Sequence, residues 1–283
     1  MKVLVLGAGG MAGHVIATYL REKSYTVDTL SANNKLDDNT LLIDVTDSSK
    51  LKLFLSNNSY DVVINCIGIL VKQSEDRKDL AVSLNSYLPH FLEEFYKNSR
   101  TKIIHLSTDC VFSGKNAPYT EKSQYDGDIF YDRSKALGEI INSKDLTFRM
   151  SIIGPDMQQK GIGLFNWFYT QKGNINGYTG SIWNGITTIQ LAKGIDEAIK
   201  QNICGLYHLV PPTNITKYDL LRLFGDIFHR TNINVLPVDG ISQDKTLINT
   251  RTDFKFSIPS YKDMVEEMKK WISDHRVLYK HYE

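Results

Sequence analysis

Residues 1–14 read MKVLVLGAGGMAGH, an apolar run that passes straight into glycines and then into a helical pattern. Residues 3–6 read as a buried strand. Gly7, Gly10 and Gly13 follow in GxxGxxG spacing, at the turn into a helix expected over 11–23. The first glycine permits a tight turn, the second lets backbone approach a pyrophosphate, and the third lets helix and strand pack closely. Backbone N–H groups and the positive end of the helix then hold phosphate. A dinucleotide is the expected ligand, against Gly7, Gly10, Met11 and Gly13.

Outward from that loop, short β-branched runs alternate with helical segments. Strands are expected at 26–30, 41–44, 62–66 and 102–107, with Ser48 or Ser49 capping a helix that runs to residue 55. A longer helix is expected over 80–96, kinked near Tyr87 by Pro89. This alternation predicts an α/β fold, a Rossmann-type doubly wound parallel sheet with a smaller C-terminal substrate-binding region. Residues 1–155, with segments returning near 185–210, form the expected nucleotide-binding part, and residues 156–283 mainly the substrate region. Beyond residue 148 the texture changes. GPDMQQKGIGLFNWFYTQKGNINGYTGSIWNGITT is rich in Gly, Asn and aromatics, which suits pocket-forming loops. Helices are expected over 189–200, over 217–228 with Thr216 as cap, and along a stripe of Met264, Val265, Met268, Trp271 and Ile272 that reads as core.

Composition narrows the class. The chain has 283 residues, 42% hydrophobic and 23% charged, with 33 basic and 32 acidic side chains and a formal charge of +1. Nothing there attracts nucleic acid or a membrane surface. No stretch approaches the roughly 20 apolar residues of a membrane span. Cys66, Cys110 and Cys204 are far apart with no CxxC, so neither a disulfide framework nor a metal site is expected, and the expected compartment is the cytoplasm.

The chemistry is carried by two further stretches. Thr108 lies in STDCVF, at the end of the expected fifth strand. Tyr131 and Lys135 lie in FYDRSKALGE at i, i+4 on an expected helix. A free tyrosine has a pKa of about 10, and a nearby ammonium lowers it by favouring the phenolate. Lys135 can also hold a nicotinamide ribose, while Thr108 can hydrogen-bond a carbonyl oxygen. Glycine loop, threonine, tyrosine and lysine together read as a hydride-transfer site. The end of the second strand, where a carboxylate usually holds ribose hydroxyls, instead carries Ser31, Asn33, Asn34 and Lys35. This favours NADPH, with NADH possible. Asp44 and Val45, in LLIDVTD, are placed to meet the adenine; the plainer reading is a capping loop.

These stretches, with VVINCIGI, LNSYLPHFL, STDCVFSGKNAPYTE and FRMSIIG, resemble the extended short-chain dehydrogenases/reductases, in the branch of the dTDP-4-dehydrorhamnose reductases. The resemblance covers most of residues 1–155. It implies Thr108, Tyr131 and Lys135 as the catalytic triad, and Asn65 and Cys66 beside the cofactor. Val111, Phe112, Tyr131, Trp183 and Asn184 are expected against the substrate, Trp183 stacking its ring on a sugar or base unless it is a core tryptophan; the resemblance implies Asn85 either supporting a relay water or serving structure alone. The implied activity is reduction of a nucleotide-activated 4-keto-6-deoxy sugar for surface polysaccharide, by a monomer or homodimer. Two departures leave the sugar open: SIWNGITT replaces the family's DQ.GSPT segment, and Cys110 stands where a tyrosine is usual. A UDP-linked acetamido sugar, an epimerase with the same triad and a non-catalytic subunit of the same fold remain alternatives. Lys72 reads as an exposed lysine or a diphosphate contact, and Arg149 as a substrate contact or an internal ion pair. His14 and His105 read as packing residues.

Overall fold

Val3, Leu4, Val5 and Leu6 are all fully buried, as befits a strand covered on both faces. In the computed structural model, which describes residues 1–240 and 242–282, they belong to β1 (Lys2–Leu6). The chain continues through α1 (Gly13–Glu22), β2 (Thr26–Ser31), β3 (Leu41–Leu42), α2 (Ser48–Ser56), β4 (Val62–Asn65), α3 (Val71–Asp76) and α4 (Lys78–Ala81). A π-helical turn (Val82–Tyr87) leads into α5 (Leu88–Tyr96), β5 (Lys102–Thr108), α6 (Phe130–Leu137) and β6 (Leu146–Met150). The remainder is β7 (Ile152–Ile153), α7 (Gly163–Tyr169), β8 (Gly173–Tyr178), β9 (Ser181–Trp183), β10 (Ile186–Thr187), α8 (Thr188–Lys200) and β11 (Gly205–His208). It ends with β12 (Ile215–Thr216), α9 (Lys217–Ile227), β13 (Ile233–Val238), β14 (Gln243–Asp244) and α10 (Tyr261–Asp274).

Seven strands form the main sheet in the order β11-β6-β5-β4-β1-β2-β3, all parallel. The expected doubly wound fold is present. Strand order reverses between β1 and β4, and the carboxyl ends there open the crevice where such sheets bind ligands. Alternation along β1 sends Val3 and Val5 into one core layer, with Val15, Ile16 and Ile195, and Leu4 and Leu6 into the other, with Leu51 and Leu92. The smaller lobe pairs β8 with β13 and sets β9 between β12 and β14, while α8 and β11 return to the main sheet.

Three local expectations change. β3 is only Leu41–Leu42, because it is an edge strand paired on one side and exposed on the other. Asp47, not Ser48 or Ser49, caps α2 by accepting from the Lys50 N–H at 3.1 Å. The helix over 80–96 is interrupted by the π turn, and Pro89 falls in the first turn of α5. Pro89 has no N–H for the Asn85 carbonyl one turn back, and that carbonyl lies tight against Gly138 instead.

The C-terminal stripe is core, and it is wired to the glycine loop. The Trp271 indole N–H donates to the Tyr279 hydroxyl at 3.0 Å, which donates to His14 Nε2 at 2.7 Å. His14 Nδ1 then donates to the Gly10 carbonyl at 2.8 Å. Burial lowers the His14 pKa, consistent with a neutral ring that donates at one nitrogen and accepts at the other.

Candidate active site

Gly7 adopts φ +83° and donates its N–H to the Leu30 carbonyl at 2.8 Å, so the turn locks onto β2. A Cβ on Gly13 would stand 2.2 Å from the Gly7 carbonyl oxygen, which shows how closely helix and loop approach. No side chain caps α1 and its first turn carries no acid, so the positive end of its dipole is left to favour an anion. Met11 lies against Gly163 at the start of α7. Ser31 is buried and, with Asn34, closes on Gly9. Asp28 sits inside β2 with its carboxylate on the Tyr60 hydroxyl at 3.0 Å and the Lys2 ammonium at 3.1 Å, so no acid faces the loop from the end of β2. These features fit a dinucleotide.

The other cofactor candidates are more occupied. Asp44 is exposed and turns back to accept from the N–H and hydroxyl of Thr46, at 2.9 and 2.7 Å. Val45 is buried in the layer of Leu30 and Leu51. Asn65 is fully buried at the end of β4; its Oδ1 accepts from the Ile67 N–H at 3.1 Å and its amide nitrogen meets His105 at 3.2 Å. Burial pushes the Cys66 thiol up to about 12, so it is inert.

The triad residues come from two elements. Thr108 is the last residue of β5; its hydroxyl donates to Asp109 at 3.0 Å and accepts from the Cys110 N–H at 3.1 Å. Tyr131 and Lys135 share α6, both buried. The helix has no side-chain cap of its own. Glu75, at the end of α3, supplies one by accepting from the N–H groups of Phe130 and Tyr131 at 2.7 and 3.3 Å. Asn85, in the π turn, accepts from the Ile69 N–H at 2.9 Å and donates to the Ser134 hydroxyl at 3.0 Å. It ties the loop after β4 to α6, which is the structural alternative of the two read from sequence.

The electrostatics differ from the expectation. Burial holds the Tyr131 pKa above its ordinary value, with the neighbouring Cys110 adding to the rise and nearby Thr108 opposing it. Lys135 turns its ammonium to the Leu106 carbonyl at 2.8 Å, and burial lowers its pKa to about 8. Desolvation therefore outweighs the expected lowering of the tyrosine by the lysine.

The residues expected against the substrate are mostly packed into the protein. Val111 and Phe112 are fully buried, Phe112 stacking on Tyr119 with ring centres 4.0 Å apart. The chain turns inward after β5, so its apolar side chains fill the core beneath the site. Trp183 is also buried. Its indole N–H donates to the Ser151 hydroxyl at 2.8 Å and its ring packs on Tyr261. Asn184 borders a cleft of about 680 Å³ shared with His208, Pro211 and Thr246, but that cleft is not lined by the triad. The Asn184 amide is engaged in both directions by Leu247, at 2.7 and 3.3 Å.

Arg149 is not a substrate contact: it is fully buried and paired with Glu139 through hydrogen bonds of 2.9 and 2.5 Å. Lys72 is exposed, 3.5 Å from Asp76. Two acids passed over in the sequence stand beside the triad. Burial raises Asp109, and raises Asp132 to about 6. Their signal was their position next to Thr108 and Tyr131.

A family model described as the RmlD substrate binding domain matches residues 1–252. The chain belongs to that family. A dTDP-4-dehydrorhamnose reductase of Mycolicibacterium smegmatis is 31% identical over 141 residues, 49% of this chain and 40% of that protein. The probable low-salt glycan biosynthesis reductase Agl14 of Haloferax volcanii is 30% identical over 161 residues, 54% of each chain. The chain thus spans about half the length of these curated relatives. Among solved structures, a Bacillus anthracis dTDP-4-dehydrorhamnose reductase in complex with NADP aligns with TM-score 0.82 at 20% identity, over 95% of this chain and 99% of that one. A Bifidobacterium longum UDP-glucose 4-epimerase reaches 0.78 at 18%, over 99% and 100%. At such identities the structures speak for the fold, which members of this family share with epimerases.

Proposed function

We propose that this chain is a cytoplasmic reductase of a nucleotide-activated 4-keto-6-deoxy sugar, working in surface polysaccharide synthesis and preferring NADPH. The observation that supports this reading is the Lys135 ammonium donating to the Leu106 carbonyl at 2.8 Å, which lays the helix of Tyr131 and Lys135 against the strand that ends at Thr108. The names of the related reductases support it. In this reading residues 1–155 and the returning segments near 185–210 hold the cofactor, and residues 156–283 mainly the substrate.

A bound nicotinamide dinucleotide supplies the hydride. Gly7, Gly10, Met11 and Gly13 hold its phosphates, Ser31 borders its adenosine ribose, and Lys135 holds the nicotinamide ribose. Thr108 donates a hydrogen bond to the keto oxygen. Tyr131 gives its proton to that oxygen as carbon 4 is reduced, which balances the addition of hydride. A reduction needs Tyr131 protonated, and burial favours that form. The absence of a carboxylate facing out from the end of β2 supports NADPH over NADH.

The test is a panel of dTDP- and UDP-linked 4-keto sugars followed by NADPH absorbance. Wild-type protein is expected to consume NADPH stoichiometrically with product. Tyr131→Phe should lose roughly 10²–10⁴-fold in rate while binding NADPH normally. Full activity in that variant, or no turnover of any keto-sugar nucleotide by the wild type, overturns the proposal.

A further inference from the structure

The Gly10 carbonyl, in the glycine loop, accepts twice from His14: from its backbone N–H at 3.2 Å and from its Nδ1 at 2.8 Å. Which ring nitrogen carries the proton is decided at the far end of the chain. An indole N–H can only donate, so the Trp271 bond at 3.0 Å makes the Tyr279 oxygen an acceptor. The one Tyr279 hydroxyl hydrogen then goes to His14 Nε2, 2.7 Å away, which must accept. A neutral imidazole that accepts at Nε2 carries its proton on Nδ1, and Nδ1 gives it to Gly10. Burial lowers the His14 pKa and so favours the neutral ring. His14, Trp271 and Tyr279 are all buried, which removes water as an alternative partner.

The carbonyl held in this way belongs to the peptide whose other pole is the Met11 N–H. That peptide is trans, so its C=O and N–H point in opposite directions. With the carbonyl turned to His14, the Met11 N–H points out of the N-terminal end of the helix. Hydrogen bonds accepted at a carbonyl also polarise its peptide and strengthen the N–H as a donor. We propose that Tyr279 is a positioning residue for the cofactor: through the Nδ1–H tautomer of His14 it fixes the Gly10–Met11 peptide that receives the cofactor pyrophosphate. This rests on the reading of the glycine loop as a nicotinamide dinucleotide site. It makes the C-terminal segment, which lies in the half of the chain read as the substrate region, a working part of the cofactor site.

The competing account is that this chain of hydrogen bonds only ties the C-terminus down. Nitrogen NMR spectra of the wild-type protein without cofactor read the tautomer directly, and His14 is expected to carry its proton on Nδ1. Binding is followed by the fluorescence of the nicotinamide. Tyr279→Phe keeps the ring and removes the hydroxyl that fixes the His14 proton. It is expected to weaken NADPH and NADH by the same factor, roughly three- to tenfold, because the two share the pyrophosphate. His14→Phe should lose at least as much. His14→Asn, whose amide can stand near the position of Nδ1, should recover most of that loss. A Tyr279→Phe protein with a lower melting temperature but wild-type affinity for both cofactors overturns the inference, as does a proton on Nε2, and in either case the dinucleotide reading stands. A wild type that binds neither cofactor removes both.

Discussion

Thr108, Tyr131 and Lys135 in the first half of the chain lie on β5 and the helix packed against it, whereas Trp183 and Asn184 in the second half are engaged by Ser151, Tyr261 and Leu247. The difference is physical. A residue at the carboxyl end of a parallel strand, or one helical turn from another, has its place set by backbone periodicity. A tryptophan in a glycine- and asparagine-rich stretch has no such constraint. Its exposure depends on Ser151 and Tyr261, which come from distant parts of the sequence. The lesson is that a motif locates a reacting group, while a composition locates only a region.

The largest effect expected from this contrast lies at Arg149, where the two halves meet. Its guanidinium is buried against Glu139, with His208 on its other side. Arg149→Met leaves the Glu139 carboxylate buried and unpaired, and should destabilise the protein by about 3–5 kcal/mol. Urea denaturation checks it. Replacing both partners together should cost less than the single change. A stable Arg149→Met protein with a raised KM would instead make this arginine a substrate contact.

Next comes the pH response of Lys135. Its folded pKa is about 8 and its ordinary value 10.5. Below about pH 8 the lysine is protonated in both states, and the penalty for burying the charge is fully present. As pH rises from 8 toward 10.5, the folded protein sheds that proton while the unfolded chain keeps it, so this group's contribution to stability improves. Activity moves the other way. If the reaction needs the ammonium, kcat/KM should fall above about pH 8, approaching tenfold per pH unit. A flat profile to pH 9.5 would break the assignment of a charged role to Lys135.

Much of the first half was legible because its signals are local. The glycine spacing after β1, the i, i+4 pair on α6 and the threonine at the end of β5 each occupy one short stretch. Pro89 signals a disturbance near Tyr87 but not its form, a π turn whose Asn85 carbonyl lies against Gly138, just after α6. The expected lowering of Tyr131 failed for a related reason. Spacing shows that Lys135 is near, but only the fold shows its ammonium turned to Leu106 and the tyrosine desolvated.

Trp183→Phe gives a smaller and sharper test of the comparison. The ring volume mostly survives, while the Ser151 hydroxyl loses its indole donor at 2.8 Å. Stability should drop by about 1 kcal/mol, with KM for the sugar nucleotide close to wild type. Unchanged stability with a severalfold higher KM would return Trp183 to the pocket.

The smallest expected effect is at Glu75, a first-half residue whose role is invisible in its own stretch of sequence. It sits at the end of α3 yet caps α6, because Phe130 and Tyr131 have N–H groups and no local acceptor. A carboxylate at a helix N-terminus also favours the helix through its dipole, by about 0.3–1 kcal/mol. Glu75→Ala should therefore cost about 1 kcal/mol of stability. If the cap positions Tyr131, kcat should fall a few-fold with NADPH affinity unchanged, and Glu75→Gln, which keeps an acceptor oxygen, should recover most of the loss. A variant with lower stability but wild-type kcat would show that α6 holds the tyrosine through its buried face alone, against Asn85 and the π turn.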